Sequence, residues 1–191
     1  MAELFKDNLS VKEIIRLERS IAEQSAQFNT HFDNTIFHKK LILSCSDMVG
    51  QENVVDENQW QSLSLMQRLR AAAQALNGAM PQAEGAEVVL SALQKNDQLS
   101  GWLSLVCCEY IATHEQLTLE QGLQSLQKMT EYFSAEFAIR HFLVKQPEAT
   151  LAVLTRWLTH ENHHVRRLIS EGTRPRLPWG VRLPIFIEQP E

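Results

Sequence analysis

Apolar residues recur every three to four positions through most of the chain, the spacing that places them on one face of an α-helix. The clearest series run from Val11 to Ile21 and from Leu65 to Leu76. No segment of alternating apolar and polar residues competes with them, as a strand would require. The pattern therefore predicts an all-α fold.

Three segments carry the capping-box signature, in which a Ser or Thr and a Glu or Gln three residues later satisfy each other's backbone donors. They begin at Ser10, Ser64 and Thr118 and predict three helix starts, with Gly78 ending the second helix. The polar stretch 53–62 is predicted to be a loop in which Trp60 is packed. Further helices are predicted at about 34–44, 84–94, 100–113, 134–145, 148–159 and 163–171, which makes roughly nine helices in all.

Short connections between the helices predict how they pack. Only Thr159 to Asn162 separates the last pair, so these two helices should fold back on each other as an antiparallel hairpin. The segment from Leu154 to Leu168 is similar to one HEAT-like unit, with Asn-x-x-Val-Arg at the start of its second helix. We therefore predict a single helical-repeat domain over residues 1–191, an α–α solenoid.

The composition, 44% hydrophobic and 21% charged, is that of a globular protein without a membrane span. The first eight residues lack the basic-then-apolar order of a signal peptide, which predicts a cytoplasmic location. An odd number of cysteines without a Cys-x-x-Cys spacing predicts buried free thiols. These are Cys45, Cys107 and Cys108.

Histidines are the other candidate metal ligands. His160, His163 and His164 are close in sequence, but a predicted helix break separates His160 from His164. That spacing does not form a helical ligand set, so we predict no metal site.

Charge is distributed unevenly along the chain. The net charge is −5, yet six arginines and only two glutamates lie between Arg156 and Arg182. Guanidinium groups can donate two hydrogen bonds to a phosphate, so this segment fits a nucleic-acid backbone and would bind it in a salt-dependent manner. Structural Arg–carboxylate pairs are the alternative, and the residues alone leave both open.

The run from Ser170 to Trp179, Ser-Glu-Gly-Thr-Arg-Pro-Arg-Leu-Pro-Trp, is the most distinctive segment. It combines a carboxylate, two arginines and a tryptophan in a proline-stiffened loop that directly follows an apolar helix. Such a loop favours a shaped site over a solvated linker.

Together with the residues upstream, this run resembles the HEAT-like repeat DNA glycosylases of alkylation repair, and most closely their AlkC branch. The resemblance implies a curved solenoid that binds double-stranded DNA containing alkylated bases and removes N3-alkylated purines such as 3-methyladenine. It implies no metal or organic cofactor, and association with the nucleoid when DNA is bound. The upstream residues that carry it are Ala138-Ile139-Arg140, Leu154, Trp157 and Asn162-His163-His164-Val165-Arg166-Arg167.

The resemblance also assigns site residues. Glu136 and Glu171 correspond to the catalytic carboxylates, which stabilise an oxocarbenium-like transition state, and Trp179 to the ring that contacts the cationic base. The residues alone leave three other roles open. These are a carboxylate at Glu136 that suits the dipole of a helix N-terminus, a brace from Glu171 to Arg167 four positions earlier, and a cap on the core at Trp179. The assigned phosphate contacts are Arg166, Arg167, Arg174 and Arg176.

The chain departs from the family pattern at its carboxyl end. Only a few residues follow Pro184, whereas the family continues through further repeats that supply a catalytic aspartate. We therefore expect this chain to be either the N-terminal part of a longer architecture or a natural short homologue, and to release little or no 3-methyladenine by itself. An exposed apolar face on the terminal repeat favours either a homodimer or the loss of further repeats. The alternative function is a noncatalytic helical scaffold that binds nucleic acid or a protein partner.

Overall fold

The computed structural model describes residues 9–45 and 55–188, and within these ranges it is built of α-helices and no strands. The predicted all-α fold is confirmed. A single 3₁₀ turn, Asp97–Leu99, precedes the sixth helix. The α-helices are α1 Val11–Gln27, α2 Asn34–Cys45, α3 Glu57–Ser62, α4 Leu65–Ala79, α5 Gly85–Lys95, α6 Trp102–Thr113, α7 Leu119–Met129, α8 Glu136–Lys145, α9 Pro147–Trp157, α10 His163–Gly172 and α11 Ile185–Glu188.

All the predicted helices are present, and α3 and α11 are additional. The loop predicted over 53–62 is wrong for its described part, because Asp56 caps a short helix there. Its Oδ1 accepts from the backbone N–H of Asn58 at 2.8 Å, which satisfies a free donor at the start of α3. Trp60 is buried as predicted, and its Nε1 donates to the carbonyl of Leu9 at 2.7 Å.

Two of the three predicted capping boxes are complete, those at Ser64 and Thr118. At Ser10 only half of the box forms. The Ser10 hydroxyl accepts from the Glu13 backbone N–H at 3.4 Å, but the Glu13 carboxylate pairs with Arg16 at 2.7 Å. A cation one turn further along thus replaces the expected backbone donor as the partner of this carboxylate.

The prediction that Gly78 ends α4 is wrong, because this glycine lies inside the helix. A Cβ at this position would be 3.2 Å from Cγ2 of Ile36, so the glycine permits close packing of α2 against α4. The helix ends at Ala79, one residue later.

The helices stack in two layers. The first layer consists of α2, α4, α6, α8 and α10, each packed on the next, and the second of α1, α5, α7 and α9. Contacts between α8 and α9 and between α9 and α10 join the layers, and they include the predicted hairpin. Each helix pair buries its apolar face against the preceding pair, as in an α–α solenoid.

Helix α6 lies at the centre of the described structure and is buried from Leu103 to Ala112. It contains Cys107 and Cys108, which are free thiols as predicted. Burial raises the pKa of the Cys107 thiol to about 12, so this residue behaves as a small core side chain. The side chain of Cys45 lies outside the described residues. None of the described helices is long and apolar enough to cross a membrane.

Candidate functional site

A cleft of about 490 Å³ opens on the first layer, where α6, α8 and α10 meet. Each of these helices supplies lining residues, and the segments before α8 and after α10 complete the walls. Residues far apart in sequence therefore meet because three repeats are stacked. The helical lining residues are Trp102 and Leu105 of α6, Glu136 and Phe137 of α8, and Arg167 and Glu171 of α10.

Glu136 is the more deeply buried of the two carboxylates in the cleft. It is the first residue of α8 and is only 5% exposed. Its Oε1 accepts from Nε of Arg167 at 3.1 Å, whereas its Oε2 has no hydrogen-bond partner among the described residues. A buried oxygen without a partner is costly to the fold, and such groups cluster at functional sites.

The pKa of Glu136 is raised, chiefly because burial penalises the charged form. The negative charge of Glu171 also raises the pKa of Glu136. The backbone N–H of Glu136 and the guanidinium of Arg167 lower it. A favourable interaction with the dipole of the α8 N-terminus therefore does not by itself explain why a carboxylate occupies this position. The fold bears a cost in keeping Glu136 where it is.

Glu171 does not brace Arg167, the alternative that the spacing left open. The Arg167 guanidinium reaches from α10 across to α8, where its Nη2 donates to the carbonyl of Phe133 at 2.8 Å beside the contact with Glu136. Glu171 instead pairs with Arg174 at 2.8 Å. Two carboxylate–arginine pairs thus line the cleft and join α8, α10 and the loop that follows.

Trp102 and Phe133 line the cleft together with the two carboxylates, and Trp179 lies outside this lining, against Trp102. The rings of Trp102 and Trp179 are 6.1 Å apart, and those of Trp102 and Phe133 are also 6.1 Å apart. Trp179 is 57% exposed, so its ring is not enclosed by the core. Sequence reasoning missed Trp102 and Phe133. Trp102 lies within the predicted helix 100–113 and Phe133 directly before the predicted helix 134–145, where apolar residues are indistinguishable from core positions.

The four arginines predicted to contact phosphate occupy different surroundings. Arg167 lies in the cleft, and Arg174 and Arg176 are exposed in the loop after α10. Arg166 is exposed as well, but its Nη1 donates to the carbonyls of His160 and Glu161 at 2.6 and 2.8 Å, in the turn between α9 and α10. The structure thus pairs two of the four, Arg167 and Arg174, with the carboxylates, and leaves Arg176 exposed in the same loop as Arg174.

The histidines near this turn have other partners. Nδ1 of His160 accepts from the backbone N–H of Asn162 at 3.1 Å, and the rings of His163 and His164 stack at 4.0 Å. Within the described ranges no three His, Cys, Asp or Glu side chains are grouped as metal ligands would be.

The fold and the cleft define an all-α helical-repeat protein with an acidic, aromatic-walled site. No protein-family model matches the chain. The alkylpurine DNA glycosylase AlkC of Pseudomonas fluorescens, solved bound to DNA containing an abasic site analog, superposes with a TM-score of 0.78 over 97% of this chain, at 29% sequence identity. The chain is therefore similar to AlkC in fold and in sequence, and the resemblance inferred from its sequence is confirmed.

A relative of known sequence is the uncharacterized protein YhaZ of Bacillus subtilis strain 168, which is 33% identical over 131 residues. This match covers 69% of the present chain and 36% of YhaZ, and the match to AlkC covers 46% of that protein. The chain thus spans less than half the length of either.

We expect Glu136→Gln to raise the thermal stability of the protein at pH 7. The substitution removes a buried charge and leaves an oxygen that can accept from Arg167. The gain should be about 1 kcal/mol, or about 2–4 °C in Tm. Because the pKa of Glu136 is higher in the folded than in the unfolded state, the folded state binds more protons between these two values. Wild-type stability therefore falls as pH rises through this window, and the advantage of the variant grows.

The measurement is thermal unfolding between pH 4 and pH 8. Glu161→Gln, which changes the same charge at an exposed position, is the matched control and should show no pH-dependent difference from the wild type. If Glu136→Gln had the wild-type Tm across the whole range, the conclusion that the buried charge of Glu136 destabilises the fold would be contradicted.

Proposed function

We propose that this protein acts in DNA alkylation repair, and that the cleft receives a positively charged N3-alkylated purine of double-stranded DNA, such as 3-methyladenine, and promotes its excision. The observation that carries the proposal is the buried carboxylate of Glu136, which shares the cleft with the rings of Trp102 and Phe133. Within the described part of the chain its Oε2 lacks a hydrogen-bond partner. Similarity to the DNA-bound AlkC structure supports it. A cytoplasmic location on the nucleoid follows from such a substrate and stays a prediction.

The chemistry needs little more than a fixed negative charge. A purine alkylated at N3 is a cation and hence a good leaving group. When the bond from C1′ of the sugar to the base breaks, its electron pair leaves with the base and positive charge develops on the sugar. The Glu136 carboxylate would stabilise that charge in a cleft of low dielectric. Glu171 would orient the water that adds to C1′ and accept its proton.

The aromatic rings would distinguish the lesion from a normal base. The face of a tryptophan attracts a cation by about 0.5–2 kcal/mol, depending on how much water is excluded. A neutral adenine gains nothing from this term. Trp179 supplies the accessible ring, Trp102 of α6 packs against it, and Phe133 packs against Trp102.

The exposed arginines would hold the DNA backbone beside the lesion. Arg174 and Arg176 are best placed for phosphate contacts, because both are exposed in the loop that carries Trp179. Arg167 would mainly hold Glu136, with phosphate as a second partner for a guanidinium that is partly exposed. A phosphate role for Arg166 has less support, because its guanidinium already donates to two carbonyls.

A binding experiment tests this function without requiring turnover. Two duplexes are compared, one with a protonated pyrrolidine in place of a deoxyribose and one with the neutral tetrahydrofuran analogue. The wild type should prefer the cationic duplex by at least about tenfold, the effect of one favourable charge contact of about 1.4 kcal/mol. Glu136→Gln should abolish the preference and Glu161→Gln should not. Equal affinities for the two duplexes would favour the noncatalytic scaffold.

We also propose self-association through the apolar surface of α11, where Ile185 and Ile187 are exposed. Sedimentation velocity checks the homodimer, and a monomer at all concentrations would contradict it.

A further inference from the structure

Arg140 of α8 is completely buried, and its guanidinium donates to four backbone carbonyls that lie at the end of α10 or after it. Nη1 donates to Gly172 at 2.8 Å and to Arg174 at 2.6 Å, and Nη2 donates to Pro175 at 3.3 Å. Nε donates to Val181. One side chain therefore ties the beginning of the segment 172–181 to its end.

Only arginine can make this set of contacts. Its planar guanidinium presents five donors in a fixed fork, whereas a lysine ammonium has three donors on a single atom. Burying a cation is costly, and burial lowers the pKa of Arg140. Four carbonyl dipoles offset that cost, and no described carboxylate forms an ion pair with the guanidinium.

The segment that Arg140 holds contains Trp179, whose backbone is in the left-handed region at φ 67°. For a residue other than glycine this conformation costs about 1–2 kcal/mol and persists only where the surroundings impose it. Gly180 follows directly. A Cβ there would be 3.2 Å from both Cδ and Nε of Arg140, so a glycine allows the backbone to lie against the arginine.

We propose that Arg140 is a positioning residue of the cleft: its guanidinium sets the course of the segment 172–181 and thereby holds Trp179 against Trp102. The consequence for DNA rests on the function proposed above. The positioning itself is independent of that function and is testable without DNA.

The experiment uses the full chain labelled with 5-fluorotryptophan, which gives one fluorine resonance for each of four tryptophans. Trp179→Phe and Trp102→Phe identify the two cleft signals. Arg140→Lys should shift and broaden the Trp179 and Trp102 signals and leave that of Trp60 unchanged. The distant Trp60 serves as an internal reference because it lies on α3.

Arg68→Lys is the matched control, because Arg68 is the other fully buried arginine and also binds carbonyls. Its Nε donates to Leu63 at 3.2 Å and its Nη2 to Gln61 at 2.8 Å, beside Trp60. This variant should shift the Trp60 signal and leave Trp179 unchanged. A general loss of stability would move the signals of both variants in the same way, so opposite patterns separate positioning from destabilisation.

Gly180→Ala is the second variant, and it decides the matter if Arg140→Lys does not fold. It keeps the arginine but inserts a methyl group against it, so it should produce a smaller shift of the same two cleft signals. An unchanged Trp179 signal in Gly180→Ala, and in Arg140→Lys where that variant folds, would overturn the proposal.

The same variants are then measured on the cationic and neutral duplexes. Arg140→Lys should lower the affinity for the cationic duplex by about 10- to 100-fold, the usual loss when a site is displaced by about 1 Å, and Arg68→Lys should not. If the Trp179 signal moves but the wild type shows no preference for the cationic duplex, the proposed function fails and the positioning role stands. If the wild type shows the preference and the Trp179 signal does not move, the positioning role fails alone.

Discussion

Glu136→Gln is expected to lower the release of 3-methyladenine from methylated DNA by about 10- to 1000-fold in any form of the protein that excises the base, the usual loss when one electrostatic contributor is removed from an active site. The variant keeps the shape of the side chain and removes the charge that would stabilise the developing cation. DNA affinity should change far less, because Glu136 is buried and contacts no phosphate in the proposed complex. Together with the expected gain in Tm, this would identify a carboxylate retained for function at the expense of stability.

Release is measured with this chain and with a longer form that carries further repeats of the family, since the resemblance assigns an aspartate to those repeats. Glu171→Gln should cause a smaller loss, because Glu171 is more exposed than Glu136 and pairs with Arg174. Glu161→Gln is the charge-matched control outside the cleft and should release the base at the wild-type rate. Excision that survives both cleft substitutions would overturn the assignment of these two glutamates.

Replacing Arg174 and Arg176 together by alanine is expected to weaken duplex binding by about 10- to 100-fold and to reduce the slope of log affinity against log salt by about 2. The attraction for DNA comes from the positive charges of this segment, because the chain as a whole carries a net charge of −5 and would not attract DNA without them. Titrations between 50 and 200 mM salt measure both quantities, and these concentrations span the range in which counterion release dominates.

Arg176→Ala is also measured alone, because Arg174 pairs with Glu171 and its loss leaves that carboxylate without its ion-pair partner. The double variant Lys12→Ala with Arg19→Ala is the control for net charge. Both residues are exposed on α1 in the second layer, away from the lining of the cleft. If this control weakens binding as much as the loop variant does, DNA is not held where we propose.

The helices themselves were predictable because their signals are local. An apolar period of three to four residues and a capping residue act within one or two turns of chain, so the helix starts after Ser64 and Thr118 were marked by the sequence alone. The motif from Ser170 to Trp179 likewise indicated a site before any packing was known. Two predictions failed where one local signal competed with another. Asp56 caps a helix within a polar stretch that was predicted to be a loop, and the Glu13 carboxylate pairs with Arg16 and not with the backbone at Ser10.

The composition of the cleft was decided by the tertiary structure. Sequence spacing left Glu171 as a partner for Arg167, yet stacking of α8 on α10 brought Glu136 and the Phe133 carbonyl within reach of that guanidinium. The same stacking placed Trp102 beside Trp179, 77 positions later in the sequence. The physical reason is that hydrogen bonds and ring contacts act over a few ångströms, so partners on different repeats are determined only once those repeats are packed together.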